Sequence, residues 1–321
     1  MRLWVSPYEL VPRGKISELA AARPRRGVLL KIEFDRDKIG YADLFPWTEL
    51  GDEPLLEQIN RLKTGEYTAL GRSSLAFARR DAEARAQGIS LWDGLEIPAS
   101  HFLILNSETP DHTEIDRALE AGFTHFKAKL PPEPARAARI VHQLVEWIGP
   151  RRKLRLDFNS GLNAGGYAQF ANEVEFPRLD FIEDPTPWNP ESGFRVPADT
   201  FPLAVDRESA LAIESPICPR VIIVKPAAQE WEYLAARAKK HKIRAVFTSY
   251  LDHPMGQAFA ALAAALAAPP LEIAGLISHP AYAANAFSEL LSYQGPKLIV
   301  PREGTGIGFD DLLEKRRWKL V

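Results

Sequence analysis

The chain has 321 residues, of which 46% are hydrophobic and 26% charged, and its formal net charge at pH 7 is only −2. This length is too great for one ordinary core and too small for three, which favours one large barrel with a smaller attached domain. The charge balance gives no electrostatic support to nucleic-acid binding, and the small basic clusters at residues 25–26 and 315–317 are expected to be solvated surface charge.

The first third of the chain has an α+β pattern, with strands followed by helices. Residues 2–10 and 27–34 have the β-rich composition of strands, and residues 36–40 form a polar stretch typical of a turn. Residues 54–61 and 74–87 have helical spacing, and in the second of these segments charges lie opposite an alanine and leucine face.

From residue 101 onward, short apolar runs alternate with amphipathic segments, which is typical of a parallel sheet covered by helices. The predicted strands are HFLILN (101–106), HFKAKL (125–130), KLRLDF (153–158), LDFIED (179–184), LAVD (203–206), RVIIVK (220–225), RAVFTS (244–249) and LEIAGL (271–276). The predicted helices lie between them, at 113–121, 135–147, 167–176, 209–214, 230–241 and 255–268, with room for only a short helix in the proline-rich residues 183–203. Eight strands fit a closed (β/α)₈ barrel, whereas an open doubly wound sheet would carry a glycine-rich phosphate loop after its first strand.

Cysteine content and the lengths of the apolar runs bear on location. Cys218 is the single cysteine and has no nearby metal-ligand pattern, so a reducing cytoplasm is the expected compartment. The N-terminal segment reaches Pro7 before any long apolar run, unlike a secretory signal. The most lipid-like stretch, residues 258–268, is far shorter than the ~20 residues that a spanning helix needs. We therefore expect neither a membrane nor a nucleic-acid partner.

Three carboxylates end successive predicted strands. Side chains at the C-terminal strand ends of a barrel surround one mouth, where the active sites of this fold lie. Each carboxylate taken singly is more often a turn, loop or capping residue. The three carboxylates are those of Asp157, Glu183 and Asp206. They are 26 and 23 residues apart, and each spacing is about the length of one strand-plus-helix unit. Crowded carboxylates repel unless a cation neutralises them, and all-oxygen ligands favour a hard divalent ion such as Mg²⁺.

Lysines occupy the same predicted mouth. Lys127 and Lys129 stand two apart on one strand, so their side chains leave the same face. If that face is the barrel interior, burial and mutual repulsion should lower the pKa of both amines and provide a base near neutral pH. Lys225 ends the sixth predicted strand and should lie across the mouth from them. Such a site could remove a proton next to a metal-bound carboxylate and stabilise the resulting negative charge.

Five motifs resemble, in order, those of the enolase superfamily, specifically its muconate-lactonizing-enzyme-like branch: KAK, LDFN, FIEDP, AVDRES and IVKP. Enzymes of this superfamily use a Lys or His base with Mg²⁺. Within the branch, RGVLLKI and GYADLFPWTELGD are similar to the N-terminal region of the o-succinylbenzoate synthase family. The resemblance covers nearly the whole chain, and GTGIGFDD resembles the family's glycine-rich return to its cap. It implies an α/β fold with a modified, TIM-like (β/α)₈ barrel at 98–301 and an α+β capping domain at 1–97, completed by 302–321.

The resemblance implies roles for the three lysines. Lys129 matches the base that removes the α-proton and then, as its conjugate acid, helps hydroxide leave as water. Lys225 matches the cation that stabilises the enediolate from the opposite face. Lys127 matches a residue that tunes Lys129 and touches the substrate carboxylate. The three carboxylates match the family's metal ligands.

Other positions carry over from the resemblance less directly. Asn159 matches a residue near the metal-bound carboxylate, and Ser249 matches a contact to the succinyl portion of the substrate. The family usually has Asp-Glu-Ser at the third ligand, but Arg207 intervenes here, so Glu208 is an alternative to Asp206. We prefer Asp206 because LAV leads directly into it, as expected at a strand end.

Two further residues have expected supporting roles. Arg155 lies two residues before Asp157, shares its face, and is expected to support it from behind. His253 could be an acid or a base, but a loop histidine between Asp252 and Pro254 is expected to be structural.

The implied reaction is Mg²⁺-dependent dehydration of 2-succinyl-6-hydroxy-2,4-cyclohexadiene-1-carboxylate to 2-succinylbenzoate through an enediolate, a step towards menaquinone, with Mn²⁺ as a substitute metal. The expected partner is this small carboxylate. Racemisation of an N-acylamino acid or epimerisation of a dipeptide remains an alternative, as does a barrel that has lost catalysis and acts as a binding module. No heptad pattern indicates an obligate protein partner, and a monomer is the simplest expectation.

Overall fold

The first elements of the chain form an antiparallel sheet with two helices. The computed structural model describes residues 1–14, 23–36, 38–174, 178–196, 201–267 and 272–321. The elements in this region are β1 (Arg2–Leu10), β2 (Arg25–Asp35), β3 (Lys38–Leu44), a 3₁₀ turn (Thr48–Leu50), α1 (Leu55–Thr64) and α2 (Ala69–Gln87). The last strand of the chain completes this four-stranded sheet by pairing antiparallel with β1.

The predicted turn at residues 36–40 is wrong for residues 38–40, which begin β3. Gly40 made the polar stretch resemble a turn, but this glycine has a different role in the structure. A Cβ at Gly40 would lie 1.8 Å from the backbone oxygen of Ala78 in α2, so the glycine allows the helix to press on the strand. Glycine in a strand can mark such a close approach of another backbone rather than a turn.

The central region forms a seven-stranded parallel sheet that curls into a barrel. In chain order its strands are β4 (Phe102–Ile104), β5 (His125–Lys129), β6 (Lys153–Asp157), β7 (Leu179–Glu183), β10 (Leu203–Val205), β11 (Val221–Val224) and β12 (Arg244–Phe247). Between β7 and β10, the strands β8 (Trp188–Asn189) and β9 (Gly193–Phe194) form a separate antiparallel ribbon. The helices of this region are α3 (His112–Glu120), α4 (Pro134–Ile148), α5 (Ala164–Glu173), α6 (Ser209–Ala212), α7 (Trp231–His241) and α8 (Pro254–Leu266). The predicted alternation of strand and helix is confirmed.

The eighth predicted strand closes the ring without being a regular strand. Ala274 forms a parallel bridge with Ser100 before β4, and Gly275 forms one with Thr248 after β12. The ring of His101 lies 2.6 Å from where a Cβ of Gly275 would be, so the backbone comes too close there for a larger residue. The predicted barrel is therefore confirmed.

A few sequence predictions meet gaps in the description. Residue 271 of the eighth segment, residues 175–176 of the predicted 167–176 helix and residue 268 of the predicted 255–268 helix lie outside the described residues. The described part of 183–203 holds the β8–β9 ribbon and no helix. The domain boundaries at 97/98 and 301/302 stay a prediction.

The C-terminal region returns to the first sheet. It contains a 3₁₀ turn (His279–Ala281), α9 (Ala286–Leu290), the hairpin of β13 (Ser292–Gln294) and β14 (Lys297–Ile299), α10 (Asp310–Glu314) and β15 (Lys319–Leu320). One hydrophobic cluster runs from Leu29 and Leu30 in β2 to Met255 and Phe259 in α8, so the first sheet and the barrel share a core. Within the described ranges, no helix combines the length and apolar character needed to cross a bilayer.

Candidate active site

A cavity of about 500 Å³ opens at the carboxyl ends of the barrel strands. Eight polar or charged side chains to which the sequence analysis assigned a role line it: Lys127, Lys129, Asp157, Asn159, Glu183, Asp206, Lys225 and Ser249. A larger groove of about 880 Å³ lies elsewhere, against the β14 region, and none of these eight side chains lines it. The chemistry of the lining residues, and not cavity size, therefore identifies the candidate site.

Strand register explains why these residues meet. Lys129 at the end of β5 is the direct partner of Asp157 in β6, and Asp157 is the direct partner of Glu183 in β7. Glu183 is in turn paired with Ala204, two residues before Asp206. In parallel strands such partners lie side by side, so one row of residues forms one side of the mouth.

Two ammonium groups lie among the carboxylates. The Nζ atom of Lys127 lies 2.7 Å from each oxygen of Glu183 and 3.0 Å from Oδ2 of Asp157. The Nζ atom of Lys225 forms an ion pair with Asp206. Lys127, Asp157 and Glu183 are all buried, so these contacts are only weakly screened by solvent.

The two lysines of β5 have opposite pKa shifts. Burial lowers the pKa of Lys129, and the charges of Lys127 and Lys225 lower it further, against the opposing effect of Asp157 and Glu183. Burial would also lower the pKa of Lys127, but Asp157, Glu183 and Asp206 outweigh it and raise that pKa. The prediction of a lowered pKa for both lysines is therefore wrong for Lys127, because two of its carboxylate neighbours lie in direct contact with its amine.

The pKa values of the Asp157 and Glu183 carboxylates are also shifted in opposite directions. Burial would raise the pKa of Asp157, but Lys127 and Lys129 outweigh it and lower the pKa to about 2. Burial and the nearby charges of Asp157 and Asp206 raise the pKa of Glu183 to about 8, with Lys127 and Lys225 opposing. A further cation close to Glu183 would oppose both effects and favour its ionised form.

The residues fit a hard divalent ion by their chemistry. The three carboxylates supply only oxygen donors, and the Lys127 amine demonstrates that one cation can lie within 3.0 Å of both Asp157 and Glu183. As they stand, the described residues contain no group of three or more His, Cys, Asp or Glu side chains close enough to hold one ion. The assignment of Asp157, Glu183 and Asp206 as metal ligands stays a prediction.

The end of β10 bears on the choice between Asp206 and Glu208. Both line the cavity, but Asp206 is buried and paired with Lys225, whereas Glu208 is exposed. The buried carboxylate of Asp184 accepts hydrogen bonds from the backbone N–H groups of Asp206 at 3.1 Å and Arg207 at 3.2 Å. This anchor fixes the turn that presents Asp206 beside Glu183 and leaves it our preferred ligand.

The two predicted substrate contacts lie on opposite sides of the mouth. Asn159 follows β6 with a left-handed φ of 48°, and its backbone N–H donates to Oδ1 of Asp157 at 3.0 Å. Asparagine tolerates this conformation better than most residues. Ser249 follows β12, and its hydroxyl lies 2.6 Å from the hydroxyl of Ser278. Their roles as substrate contacts stay predictions.

Arg155 and His253 lie away from the reacting centre. The fully buried Arg155 donates to Asp180 at 2.7 Å and contacts Nδ1 of His101 at 3.0 Å, so its side chain reaches the cavity wall through His101. His253 accepts the backbone N–H of Met255 at the start of α8, as expected of a structural residue. Burial lowers its pKa to about 3.

The sequence predicts a capping domain but does not identify which of its residues reach the cavity. Trp47 lines it, and its indole N–H donates to the backbone oxygen of Tyr250 at 2.8 Å. Asp52 accepts the Tyr250 hydroxyl at 2.9 Å and the Trp47 backbone N–H at 2.8 Å. These three residues form what we call the clamp. Its first-domain half lies in GYADLFPWTELGD, which was recognised for its resemblance and not for its contacts.

Solved structures with this architecture define the class of fold. The L-Ala-D/L-Glu epimerase from Bacillus subtilis has a TM-score of 0.78 to this chain at 15% identity, covering 96% of this chain and 98% of its own. The N-succinyl Arg/Lys racemase from Bacillus cereus has a TM-score of 0.80 at 16% identity, covering 100% and 99%. The muconate lactonizing enzyme from Pseudomonas putida has a TM-score of 0.79 at 14% identity, covering 98% and 99%. At these identities the likeness establishes the fold, a barrel with a capping domain.

Sequence comparison is more specific. Residues 3–84 match the family described as O-succinylbenzoate synthase, N-terminal domain, and residues 112–210 match the family described as Enolase C-terminal domain-like. The o-succinylbenzoate synthase of Bdellovibrio bacteriovorus is 30% identical to this chain, and the alignment covers 99% of this chain and 98% of that protein. The chain therefore belongs to the enolase superfamily, on its o-succinylbenzoate synthase side.

Proposed function

We propose that this protein is an o-succinylbenzoate synthase that dehydrates 2-succinyl-6-hydroxy-2,4-cyclohexadiene-1-carboxylate to 2-succinylbenzoate in menaquinone synthesis. The observation that supports it most is Lys129, a lysine with a lowered pKa beside Asp157 and Glu183. It lies in a chain that is similar from end to end to an o-succinylbenzoate synthase.

Lys129 is the general base in this proposal. A lowered pKa leaves more of the amine neutral near pH 7, which a base requires. The neutral amine takes the proton from the ring carbon next to the carboxylate, and the bonding pair moves onto the carboxylate oxygens. The electron pair then returns to the ring and forms a double bond to the carbon that carries the hydroxyl. The bond from that carbon to the hydroxyl oxygen breaks, and the Lys129 ammonium gives its proton to the departing hydroxide. Water leaves, the ring becomes aromatic, and the amine is regenerated.

Lys225 and Lys127 act by charge. Lys225 lies at the end of β11, and its ammonium stabilises the negative charge of the enediolate. Lys127 has a raised pKa and stays protonated, which suits a residue that binds a carboxylate and lowers the pKa of Lys129. In this proposal the three lysines therefore divide into one proton carrier, Lys129, and two residues that act on the substrate by charge, Lys127 and Lys225.

Asp157, Glu183 and Asp206 would hold Mg²⁺, or Mn²⁺ in its place. When bound, the metal supplies positive charge that acidifies the proton next to a carboxylate held at the site. The clamp adds a wall from the first domain that keeps bulk water from this side of the cavity.

Racemisation or epimerisation of an N-acylamino acid or dipeptide is the second candidate. Lys129 and Lys225 both line the cavity, and a racemase needs a base on each face of the substrate. The solved structures that share this fold include an epimerase and a racemase, which supports this candidate at the level of the fold. The first-domain match at residues 3–84 favours the synthase.

The test is a substrate assay with purified protein. Protein loaded with Mg²⁺ is mixed with the cyclohexadiene acid, and formation of 2-succinylbenzoate is followed by chromatography, with chelator-treated protein as the control. We expect rapid turnover that requires metal. Activity on N-acylamino acids alone would overturn the proposal in favour of the racemase, and activity on neither substrate would favour a binding module.

A further inference from the structure

The ion pairs of the mouth do not include Arg207, a further cation among the described residues that line the cavity. Lys127 contacts Asp157 and Glu183, and Lys225 contacts Asp206. Arg207 also lines the cavity and is exposed, and among the described residues its guanidinium has neither a hydrogen bond nor an ion pair. It is therefore available to an anionic group of a ligand.

The turn that carries Arg207 is held in place. Its backbone N–H donates to Oδ2 of Asp184 at 3.2 Å, and Oδ1 of the same carboxylate accepts the N–H of Asp206 at 3.1 Å. Asp184 is only 3% exposed and has a left-handed φ of 40°. Because the backbone is anchored on a buried carboxylate, the arginine leaves the barrel rim from a fixed point, which lowers the entropic cost of binding.

The proposed substrate needs such a cation. It carries two carboxylates, one on the ring and one at the end of the succinyl arm, and the ring carboxylate would be bound at the metal site. A second carboxylate that entered the cavity unpaired would lose its hydration without compensation. A guanidinium matches a carboxylate with two parallel hydrogen bonds, which a lysine amine does not.

We propose, on the basis of the proposed function, that Arg207 binds the terminal carboxylate of the substrate's succinyl group and selects succinyl compounds over analogues that lack it. An N-succinylamino acid ends in the same group, so within the second candidate activity the residue would favour N-succinyl substrates over other N-acylamino acids and dipeptides. Exposed arginines elsewhere, such as Arg220 immediately before β11, do not line the cavity and have no such role.

The test compares two ligands on two proteins. Binding of 2-succinylbenzoate and of 2-butanoylbenzoate, which has a methyl in place of the terminal carboxylate, is measured by calorimetry on Mg²⁺-loaded wild type and Arg207→Met. A hydrogen bond to a charged group corresponds to about 10- to 100-fold in affinity. We expect wild type to prefer 2-succinylbenzoate by that factor and Arg207→Met to lose the preference. Arg207→Lys should keep part of it, and Arg220→Met, the matched control, should keep all of it.

Two results would overturn the inference: an Arg207→Met protein that keeps the wild-type preference, or a wild type with none. Kinetics separate it from the proposed function. If wild type turns over the cyclohexadiene acid, Arg207→Met should raise KM by about 10- to 100-fold with a much smaller change in kcat. If wild type does not turn it over, the proposed function fails, while the binding comparison still decides the role of Arg207.

Discussion

The barrel contains two groups of buried and half-buried charged side chains. The inner group consists of Arg155, Asp180, Arg244 and Glu272, with Arg155 to Asp180 at 2.7 Å, Arg244 to Asp180 at 2.9 Å and Arg244 to Glu272 at 2.9 Å. Cations and anions alternate in it and are equal in number. The mouth group at Lys129 and Glu183 contains a cation with a lowered pKa and a carboxylate with a raised one.

The difference separates structure from function. In the inner group, attraction from Arg155 and Arg244 outweighs burial and lowers the pKa of Asp180, so the native barrel favours its ionised form. In the mouth, burial and like charges leave Lys129 and Glu183 in an unfavourable ionised state that a metal and a substrate can relieve. Buried groups with such opposed shifts are typical of active sites.

The largest effect should follow from breaking the inner group. Asp180→Asn leaves two arginines facing a neutral amide, and removal of one partner of a buried ion pair costs about 3–5 kcal/mol of stability. We expect the midpoint of chemical denaturation to fall accordingly. Asp116→Asn, at a half-exposed position of α3 beside His112, is the control and should change the free energy of unfolding by less than about 0.5 kcal/mol. Wild-type stability in Asp180→Asn would refute the structural role of the inner group.

The interface between the first sheet and the barrel gives a third arrangement, a surplus carboxylate without a catalytic role. Burial raises the pKa of Asp43 from 3.8 to about 7, although Tyr8 and the backbone of His253 donate to it. Between these two values the native state binds more protons than the unfolded state. The contribution of Asp43 to stability should therefore fall as pH rises from about 4 to about 7, by at most about 1.4 kcal/mol per unit.

Asp43→Asn tests this pH dependence because it keeps an acceptor oxygen and removes the titration. Denaturation midpoints of both proteins are measured at intervals across that pH range. We expect a shallower dependence in the variant, and identical slopes would contradict the assignment.

Removing a carboxylate of the mouth should affect the metal more than the fold. Asp157→Asn keeps the size of the side chain but removes one negative oxygen donor, so we expect Mg²⁺ affinity to fall by about 10- to 100-fold. Calorimetric titration measures this directly. Asp180→Asn is unsuitable as its control because it destabilises the barrel, whereas Asp93→Asn, in an exposed turn, should titrate like wild type. Unchanged affinity in Asp157→Asn would remove Asp157 from the ligand set.

The smallest effect is expected at the clamp. Tyr250→Phe removes the hydrogen bond to Asp52 and should cost about 1 kcal/mol of stability with a modest rise in KM. Tyr233→Phe, on an exposed face of α7, is the matched control. Equal effects of the two substitutions on KM would argue against a role of the clamp in closing the cavity.

The sequence was sufficient for the barrel and for the set of residues at its mouth, because charges at strand ends and apolar runs follow from local pattern. It was insufficient where distant segments meet. Gly40 has the local pattern of a turn residue, because the sequence around it gives no sign of its tertiary contact with Ala78 in α2. The raised pKa of Lys127 depends on distances to Glu183 that spacing cannot supply. Trp47 and Tyr250 lie 203 residues apart, so their hydrogen bond has no local signal.

The measurement that tests the central claim most directly is the activity and stability of Lys129→Ala, assayed together. Loss of a general base costs about 10²- to 10⁴-fold in rate, while removal of a half-buried cation with a lowered pKa should leave the free energy of unfolding unchanged or slightly higher. We predict that Lys129→Ala loses turnover of the cyclohexadiene acid by that factor and still binds Mg²⁺. A variant that keeps full activity, or that loses activity only because it no longer folds, would contradict the account.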